Sequence, residues 1–539
     1  MRTSLNHVYH LNPLIILIAL LIINLGMHAP FLIKDYFGEP DAARKANSSI
    51  LASYDGDFHN TEYPLHSSPL YMDILRYCLK ANMISIDKIP FWMAIVSLIS
   101  SAAVTAALFI FVSRLTDSVL VASSASLILQ LIPAFWFNSS YGFPTIVALA
   151  LLMLSLILLQ GAFGKSPSRY KYLQGFGALI LYILAVMTKV DILLASAIYC
   201  LPLWRSDRSF KTKIIWTGIF ALFSFLVFLL FNQYAKILEA KPVGTHFTYS
   251  AWNSEWPMSL GNLVSKGNIV IILRAAGILS LPVALLGLVS AGGYRKWRST
   301  IFWLVMSGLP LALFWGIRTS NSARNFLISV VPLCIILALP LVMDKWRKWA
   351  WVSLLIVMCL TNYFYFPADN DIRSTSGRLL PSTYLFRESV KKFHLSAQTI
   401  ANLPYEKVAL IGDGGDMSPF FRFELLRSGR IYQREGDRMS PDYKFNLYRF
   451  NRVQSTEQTS NMEIPQKNQK QIFLWIYREL AFRVSDISKR KNPDFIELVR
   501  NGYFLVACDR DSSDLLEHII GIKGKWVSLE QLLPAERNT

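Results

Sequence analysis

The sequence predicts a polytopic α-helical membrane protein with a C-terminal α/β domain. Of its 539 residues, 53% are hydrophobic, 34 of them Phe and 14 Trp, and the apolar residues fall in long uncharged runs. Lys and Arg collect in short clusters between those runs, the pattern that orients membrane helices. After Phe366 the composition turns charged and no spanning run follows. The formal net charge of +18 invites a nucleic-acid reading. Its location between spans argues instead for a membrane and against nucleic acid. Cys78, Cys200, Cys334, Cys359 and Cys508 form no CxxC pair, so neither a disulfide framework nor a zinc site is indicated.

A bilayer core about 30 Å thick takes roughly 20 apolar residues of helix. Runs that meet or approach this are Pro13–Ile33, Ile89–Val112, Val119–Phe137, Phe143–Phe163, Tyr172–Thr188 and Ile192–Trp204. Ile214–Phe231, Ile269–Val289, Ile301–Ile317, Phe326–Met343 and Ala350–Phe366 complete the set, giving about eleven helices. The first reads as a retained helix, because no small-residue cleavage site follows it.

When the connections are numbered alternately, one side receives Arg114; Lys165, Arg169 and Lys171; Arg205, Arg208, Lys211 and Lys213; Arg295, Lys296 and Arg298; and Lys345, Arg347 and Lys348. The positive-inside rule makes that side cytoplasmic, with the N-terminus. The first loop (34–88), the 232–268 loop, the 318–325 turn and everything after 367 are then outside. So is the turn at Thr188-Lys189-Val190-Asp191.

Within the first loop, Pro69–Lys80 suits an amphipathic helix on the membrane, with Leu70, Ile74, Leu75 and Tyr77 opposite Asp73, Arg76 and Lys80. Tyr234, Tyr249, Trp252 and Trp256 suit the headgroup zone. In the C-terminal part, Lys407–Ile411, Ile472–Ile476 and Tyr503–Ala507 read as strands, and Phe420–Arg427 and Pro493–Arg500 as helices. Strands alternating with helices predict an α/β domain over 367–539.

The first loop is the candidate site, because it holds Glu39, Asp41, Asp55, Asp57 and Glu62 at a membrane surface. Asp41 follows Pro40 at a helix-start pattern, so one reading is a helix cap. The other is a general base or a metal ligand. Lys189 by itself reads as an interfacial lysine that snorkels. Arg274, inside an apolar run, should face a cavity or a partner rather than lipid. His66, His246 and Glu255 are loop residues within reach of a substrate or metal on the outer face, or plain surface residues. Asp413 and Asp416 in GDGGD follow a strand, but the spacing fits no phosphate loop and reads as a strand-to-helix turn. Asn47-Ser48-Ser49 and Asn138-Ser139-Ser140 match the glycosylation sequon.

Four stretches in order resemble the GT-C glycosyltransferases. EPDAARKA after the first helix is similar to the family's acidic first-loop motif. The branch it resembles contains the protein O-mannosyltransferases and the lipid A aminoarabinose transferase. YPLHSSPLYMDIL resembles the same loop's His/Pro-Pro-Leu-Tyr segment, and Leu184–Leu194 its Leu-Thr-Lys-Gly turn. Ser322–Leu341 resembles its late Arg-to-Pro helix. The resemblance spans residues 1–366. It departs at Ala42, where the motif has Glu, and at Ser68, where it has Pro. A paired carboxylate at Asp41 is therefore absent, and Asp55, Asp57 or Glu62 would have to supply a second acid.

The resemblance implies a GT-C-like catalytic domain over 1–366, with the first loop at 34–88 carrying the active-site carboxylate. It implies Asp41 as catalytic base or acceptor-orienting carboxylate. Lys189 and Arg324 become contacts of the donor's lipid phosphate, with Arg274 a further one and Arg318 the competitor of Arg324. The expectation is an inverting sugar transfer from a polyprenyl-phosphate donor to a lipid, glycan or protein acceptor on the periplasmic face of a bacterial inner membrane. A divalent metal is not required by the sequence. The rival is a transporter or flippase of lipid-linked sugars.

Overall fold

The computed structural model describes residues 12–29, 32, 35–37, 40–55, 68–140, 142–163, 170–239, 259–265, 269, 272–273, 275–292, 297–317, 323–342, 345–364, 398, 407–412, 418–440, 443–452, 473–477, 504–508 and 525–527. Its helices are α1 (Pro13–His28), α2 (Pro40–Asp55), α3 (Pro69–Lys80), α4 (Ile89–Thr116), α5 (Val119–Leu131), α6 (Pro133–Ser140), α7 (Pro144–Phe163) and α8 (Lys171–Thr188). There follow α9 (Cys200–Arg205), α10 (Phe210–Glu239), α11 (Ser280–Gly292), α12 (Arg298–Gly316), α13 (Leu327–Ala338) and α14 (Lys345–Phe364). The C-terminal part holds β1 (Lys407–Gly412), α15 (Ser418–Arg427), β2 (Arg430–Ser440), β3 (Tyr443–Arg452), β4 (Phe473–Tyr477), β5 (Phe504–Cys508) and β6 (Lys525–Val527). Among the described residues, five helices are long and apolar enough to cross a membrane, and five shorter apolar helices accompany them.

The chain gathers into two compact units. The first comprises Met1–Lys34, Pro64–Asp73 and Phe91–Tyr384, and holds nearly all of the apolar core. Polar side chains tie its helices together inside that core. Asn24 of α1 donates to Thr105 Oγ1 at 3.3 Å and accepts from Ser101 Oγ at 3.0 Å, and Gln130 Nε2 donates to the Leu20 carbonyl at 3.1 Å. Such bonds join helices where packing alone cannot discriminate neighbours from lipid.

Several expected spans are divided, each for a local reason. Val119–Phe137 breaks into α5 and α6, because Pro133 lacks an N–H and holds Ile132 extended (φ −83°, ψ 130°). Ile192–Trp204 is a 3-10 segment, Val190–Tyr199, before α9. Ile269–Val289 is interrupted at Gly277, whose φ of +91° ends helix propagation, and α11 begins at Ser280. Phe326–Met343 carries Pro332 within α13 and finishes in a 3-10 turn, Leu339–Val342.

The basic connections meet at one end of this unit. Arg205 Nη2 donates to the Leu115 carbonyl at 3.2 Å and its guanidinium lies 4.7 Å over Trp297. Arg208 lies 5.1 Å over Phe163, and Lys213 Nζ donates to the Trp204 carbonyl at 3.2 Å. Four connections grouped by charge in the sequence are thus neighbours in space.

The second unit comprises Asp35–Tyr63, Ile74–Pro90 and Leu385–Thr539. Its sheet has the order β2-β3-β1-β5-β4-β6, with β2–β3 and β3–β1 antiparallel and the remaining pairs parallel. The expected strands at 407–411, 472–476 and 503–507 match β1, β4 and β5, and the expected helix matches α15. The hairpin β2–β3 was not legible because RIYQREGDRMS and YKFNLYRFNR carry charge throughout rather than alternating cleanly. Pro493–Arg500 lies outside the described residues.

Helix α2 packs on α15 within this unit. Ala42, Ala46 and Ile50 recur every four residues, and each is fully buried. Phe37, just before α2, meets Phe423 edge-on with ring centroids 4.7 Å apart.

Candidate functional site

Lys189 stands at the junction of α8 and the 3-10 segment, with φ −156° and ψ 112°. This break in the helix lets Lys189 and Asp191 converge. Lys189 Nζ lies 3.3 Å from Asp191 Oδ2, with the two side chains only 13% and 10% exposed. An ammonium has three donors, so pairing with one carboxylate leaves capacity for an anion.

Asp191 of the pair also lines a cavity of about 290 Å³. It is lined by Val190, Asp191, Leu193 and Leu194 of the 3-10 segment, by Ser224, Phe225 and Phe228 of α10, and by Phe314 of α12. One water needs only roughly 10–15 Å³ of such space, so this is no packing flaw. The lining is almost entirely apolar; of its two polar side chains, Ser224 already accepts from Tyr182 Oη at 2.9 Å and Asp191 faces Lys189. An apolar cavity bordered by one member of an ion pair suits an amphiphile with a charged head.

Arg324 stands in a 3-10 turn, Ala323–Phe326, at the start of α13. That turn packs against α6. Since α6 leads into α7, and α7 and α8 form a hairpin, Lys189 and the Arg324 turn lie at the same end of the helices. That end is opposite the one gathering Arg205, Arg208 and Leu115. The side chain of Arg324 is outside the described residues, as are Arg274 and Arg318 entirely.

Three further contacts build this end. Tyr71 Oη donates to the Gly142 carbonyl at 3.2 Å, and burial holds its phenol well above the ordinary range, so it stays a donor. Tyr234 Oη donates to Asp73 Oδ2 at 2.7 Å. His28, fully buried at the end of α1, meets Phe135 edge-on at 5.8 Å.

These contacts correct the reading of α3. Asp73 and Arg76 are buried, at 7% each, while Ile74 and Tyr77 are exposed. The polar side of the helix turns into the protein because Tyr234 offers Asp73 a partner there. Tyr234 itself belongs to α10, not to a loop; Tyr249, Trp252 and Trp256 lie outside the described residues.

Asp41 falls in the first turn of α2, one residue after Pro40. With Pro at the first helical position, Asp41 sits inside the helix rather than at its cap. A carboxylate there is favoured by the partial positive charge of the helix start. Asp55 is the last residue of α2; the side chains of both are outside the described residues, as are Asp57, Glu62, His66, His246, Glu255, Asp413 and Asp416 altogether. Among the described residues, no three His, Cys, Asp or Glu side chains come together to hold a metal. Asn47, Ser48 and Ser49 are buried in α2, and Asn138 and Ser139 in α6, whereas a glycosylation acceptor needs an exposed loop.

Compared with known proteins, the chain is similar to several solved structures. ArnT from Cupriavidus metallidurans bound to undecaprenyl phosphate is 13% identical, at a TM-score of 0.45, over 77% of this chain and 74% of that one. The archaeal oligosaccharyltransferase AglB from Archaeoglobus fulgidus, in complex with an inhibitory peptide and a dolichol-phosphate, is 11% identical at a TM-score of 0.43. That match covers 86% of this chain and 62% of AglB. A third structure, the Archaeoglobus fulgidus oligosaccharyltransferase with Zn and sulfate, is 12% identical at a TM-score of 0.44, over 85% of this chain and 60% of that one. Neither a protein-family profile nor a curated protein matches the chain.

Sequence reasoning missed His28, the role of Asp191 as the partner of Lys189, and the cavity that Asp191 lines. The spacing of Lys189 and Asp191 across a Val in an otherwise apolar run was the signal for the second.

Proposed function

We propose that the protein is an integral membrane glycosyltransferase moving one sugar from a polyprenyl-phosphate donor to a lipid, glycan or protein acceptor. The observation that carries this is the Lys189–Asp191 pair, whose Asp191 also lines the apolar cavity. The prenyl chain lies along the cavity from within the bilayer, and its phosphate meets Lys189 and Arg324, with Arg274 as a further contact. A guanidinium suits the phosphate better than an ammonium, since its planar fork matches two oxygens.

In the reaction the acceptor hydroxyl attacks the sugar carbon and gives its proton to the Asp41 carboxylate. The carbon–oxygen bond to phosphate breaks, and the polyprenyl phosphate leaves with the electron pair. The cations stabilise the charge it gains. Attack opposite the leaving group inverts the sugar carbon. This transfer requires no metal, and Asp55, Asp57, Glu62, His66, His246 and Glu255 are the candidate substrate or metal contacts.

About eleven spans form a catalytic domain over residues 1–366, with 367–539 as an exported α/β domain. The N-terminus is cytoplasmic and the site periplasmic in a bacterial inner membrane, because the basic end must face the cytoplasm.

The test is sugar transfer by purified protein, with radiolabelled polyprenyl-phosphate sugars as donors and a membrane lipid extract as acceptor. Asp41→Asn should lower turnover about 10²–10⁴-fold while gel filtration stays that of the wild type. A fully active Asp41→Asn would remove the loop from the mechanism. One observation favours a second reading: helices broken at Lys189 and Gly277 also build the sites of transporters. Passage of lipid-linked sugar across reconstituted vesicles without donor consumption would establish that reading instead.

A further inference from the structure

Within the second unit, one side chain joins both ends of the first loop. Arg427, the last residue of α15, donates from Nε to Asp87 Oδ1 and from Nη1 to the Asp35 carbonyl at 3.1 Å. Asp35 precedes α2, whereas Asp87 lies just before α4. The same Nη1 lies 3.6 Å from Glu424 Oε2, one turn earlier on α15, whose side chain is 1% exposed. A buried carboxylate one turn back fixes the direction of the guanidinium, and its Nε and Nη1 then take the two ends of the loop. Phe423, on the same helix, closes on Phe37 between Asp35 and α2.

We propose that Arg427 is a positioning residue for the transfer reaction. It staples the start and end of the first loop to α15 and so fixes α2, the helix on which Asp41 stands. The C-terminal part is thereby an obligate component of the catalytic loop. This rests on the reading of Asp41 as the acceptor's base. Two features set the staple apart from an ordinary surface ion pair. It uses a backbone carbonyl as well as a carboxylate, so a fork of donors is needed and a lysine cannot replace it. Asp87 is also 61% exposed, so the pair adds little to global stability and its loss leaves the protein folded.

The experiment compares wild type, Arg427→Ala, Arg427→Lys and Arg427→Ala/Asp41→Asn as full-length protein in detergent. It measures kcat, donor KM, and hydrogen exchange over residues 40–55. Arg427→Ala should lower kcat about ten- to a hundredfold at unchanged donor KM, and speed exchange in α2. Arg427→Lys should recover only part of the rate. On the Asp41→Asn background, Arg427→Ala should change the residual rate by less than about twofold, since the residue it acts through is already gone. Wild-type kcat together with wild-type exchange in Arg427→Ala overturns the proposal. Absence of any transfer by the wild type refutes the glycosyltransferase reading itself. Exchange over α2 then decides the staple alone, faster exchange upholding it and unchanged exchange overturning it. Should Arg427→Ala aggregate, Asp87→Asn removes only the exposed carboxylate and is judged by the same exchange measurement.

Discussion

Replacing Lys189 by Met separates the structural from the functional part of its ion pair. At 3.3 Å and an effective dielectric constant of about 20, the pair attracts by roughly 5 kcal/mol. Most of that offsets the cost of holding two charges at 13% and 10% exposure. Removing only the lysine leaves Asp191 charged and unpaired, which costs about 3–5 kcal/mol. Removing both, as Lys189→Met/Asp191→Leu, replaces the pair with apolar side chains and should restore stability to within about 1–2 kcal/mol of wild type. Donor binding should behave differently. A charge-assisted hydrogen bond to phosphate is worth about 1.5–3 kcal/mol, so both variants should bind polyprenyl phosphate at least about tenfold more weakly. Thermal unfolding in detergent reads the first quantity, and titration with polyprenyl phosphate reads the second. If the double variant is stable and binds polyprenyl phosphate like the wild type, Lys189 is not the phosphate contact and the site lies elsewhere.

Three further outcomes follow from the same geometry. Leu194→Trp fills the cavity, so the KM for long-chain prenyl donors should rise about tenfold or more while short-chain donors are unaffected; parallel kinetics with the two donor lengths check this. Gly277→Ala places a Cβ against the Asn362 side chain at a φ of +91°, and should cost more than about 1 kcal/mol in a melting experiment. Adding Asn362→Ala removes the collision but not the backbone strain, and should recover only part of the loss. In a background with Cys78 and Cys508 replaced by Ser, Arg208→Cys, at the basic end, should react in intact cells only with membrane-permeant thiol reagents, whereas labelling by an impermeant one would reverse the topology.

The sequence by itself determined the membrane class, because apolar runs of sufficient length have no other stable home. It determined which connections share a side, since Arg205, Arg208 and Lys213 were grouped by charge before they met Leu115, Phe163 and Trp204 in space. It also located α3 to the residue, from amphipathic spacing ended by prolines and a lysine. Its limits were equally physical. Hydropathy windows cannot see a helix break, so the 3-10 segment after Lys189 and the interruption at Gly277 passed as continuous spans. A proline or glycine inside an apolar run breaks or bends a helix only where neighbours satisfy the freed backbone. Periodicity gave α3 a polar outer face, yet Asp73 and Arg76 are buried because Tyr234, distant in sequence, meets Asp73. Only tertiary structure brought Lys189 onto Asp191, set a cavity beside Asp191, and joined Arg427 to both Asp35 and Asp87. The Arg427 contacts join chain segments 340 and 392 residues apart, which no local pattern encodes; Lys189 and Asp191 are local in sequence, but whether they converge depends on the helix breaking between them.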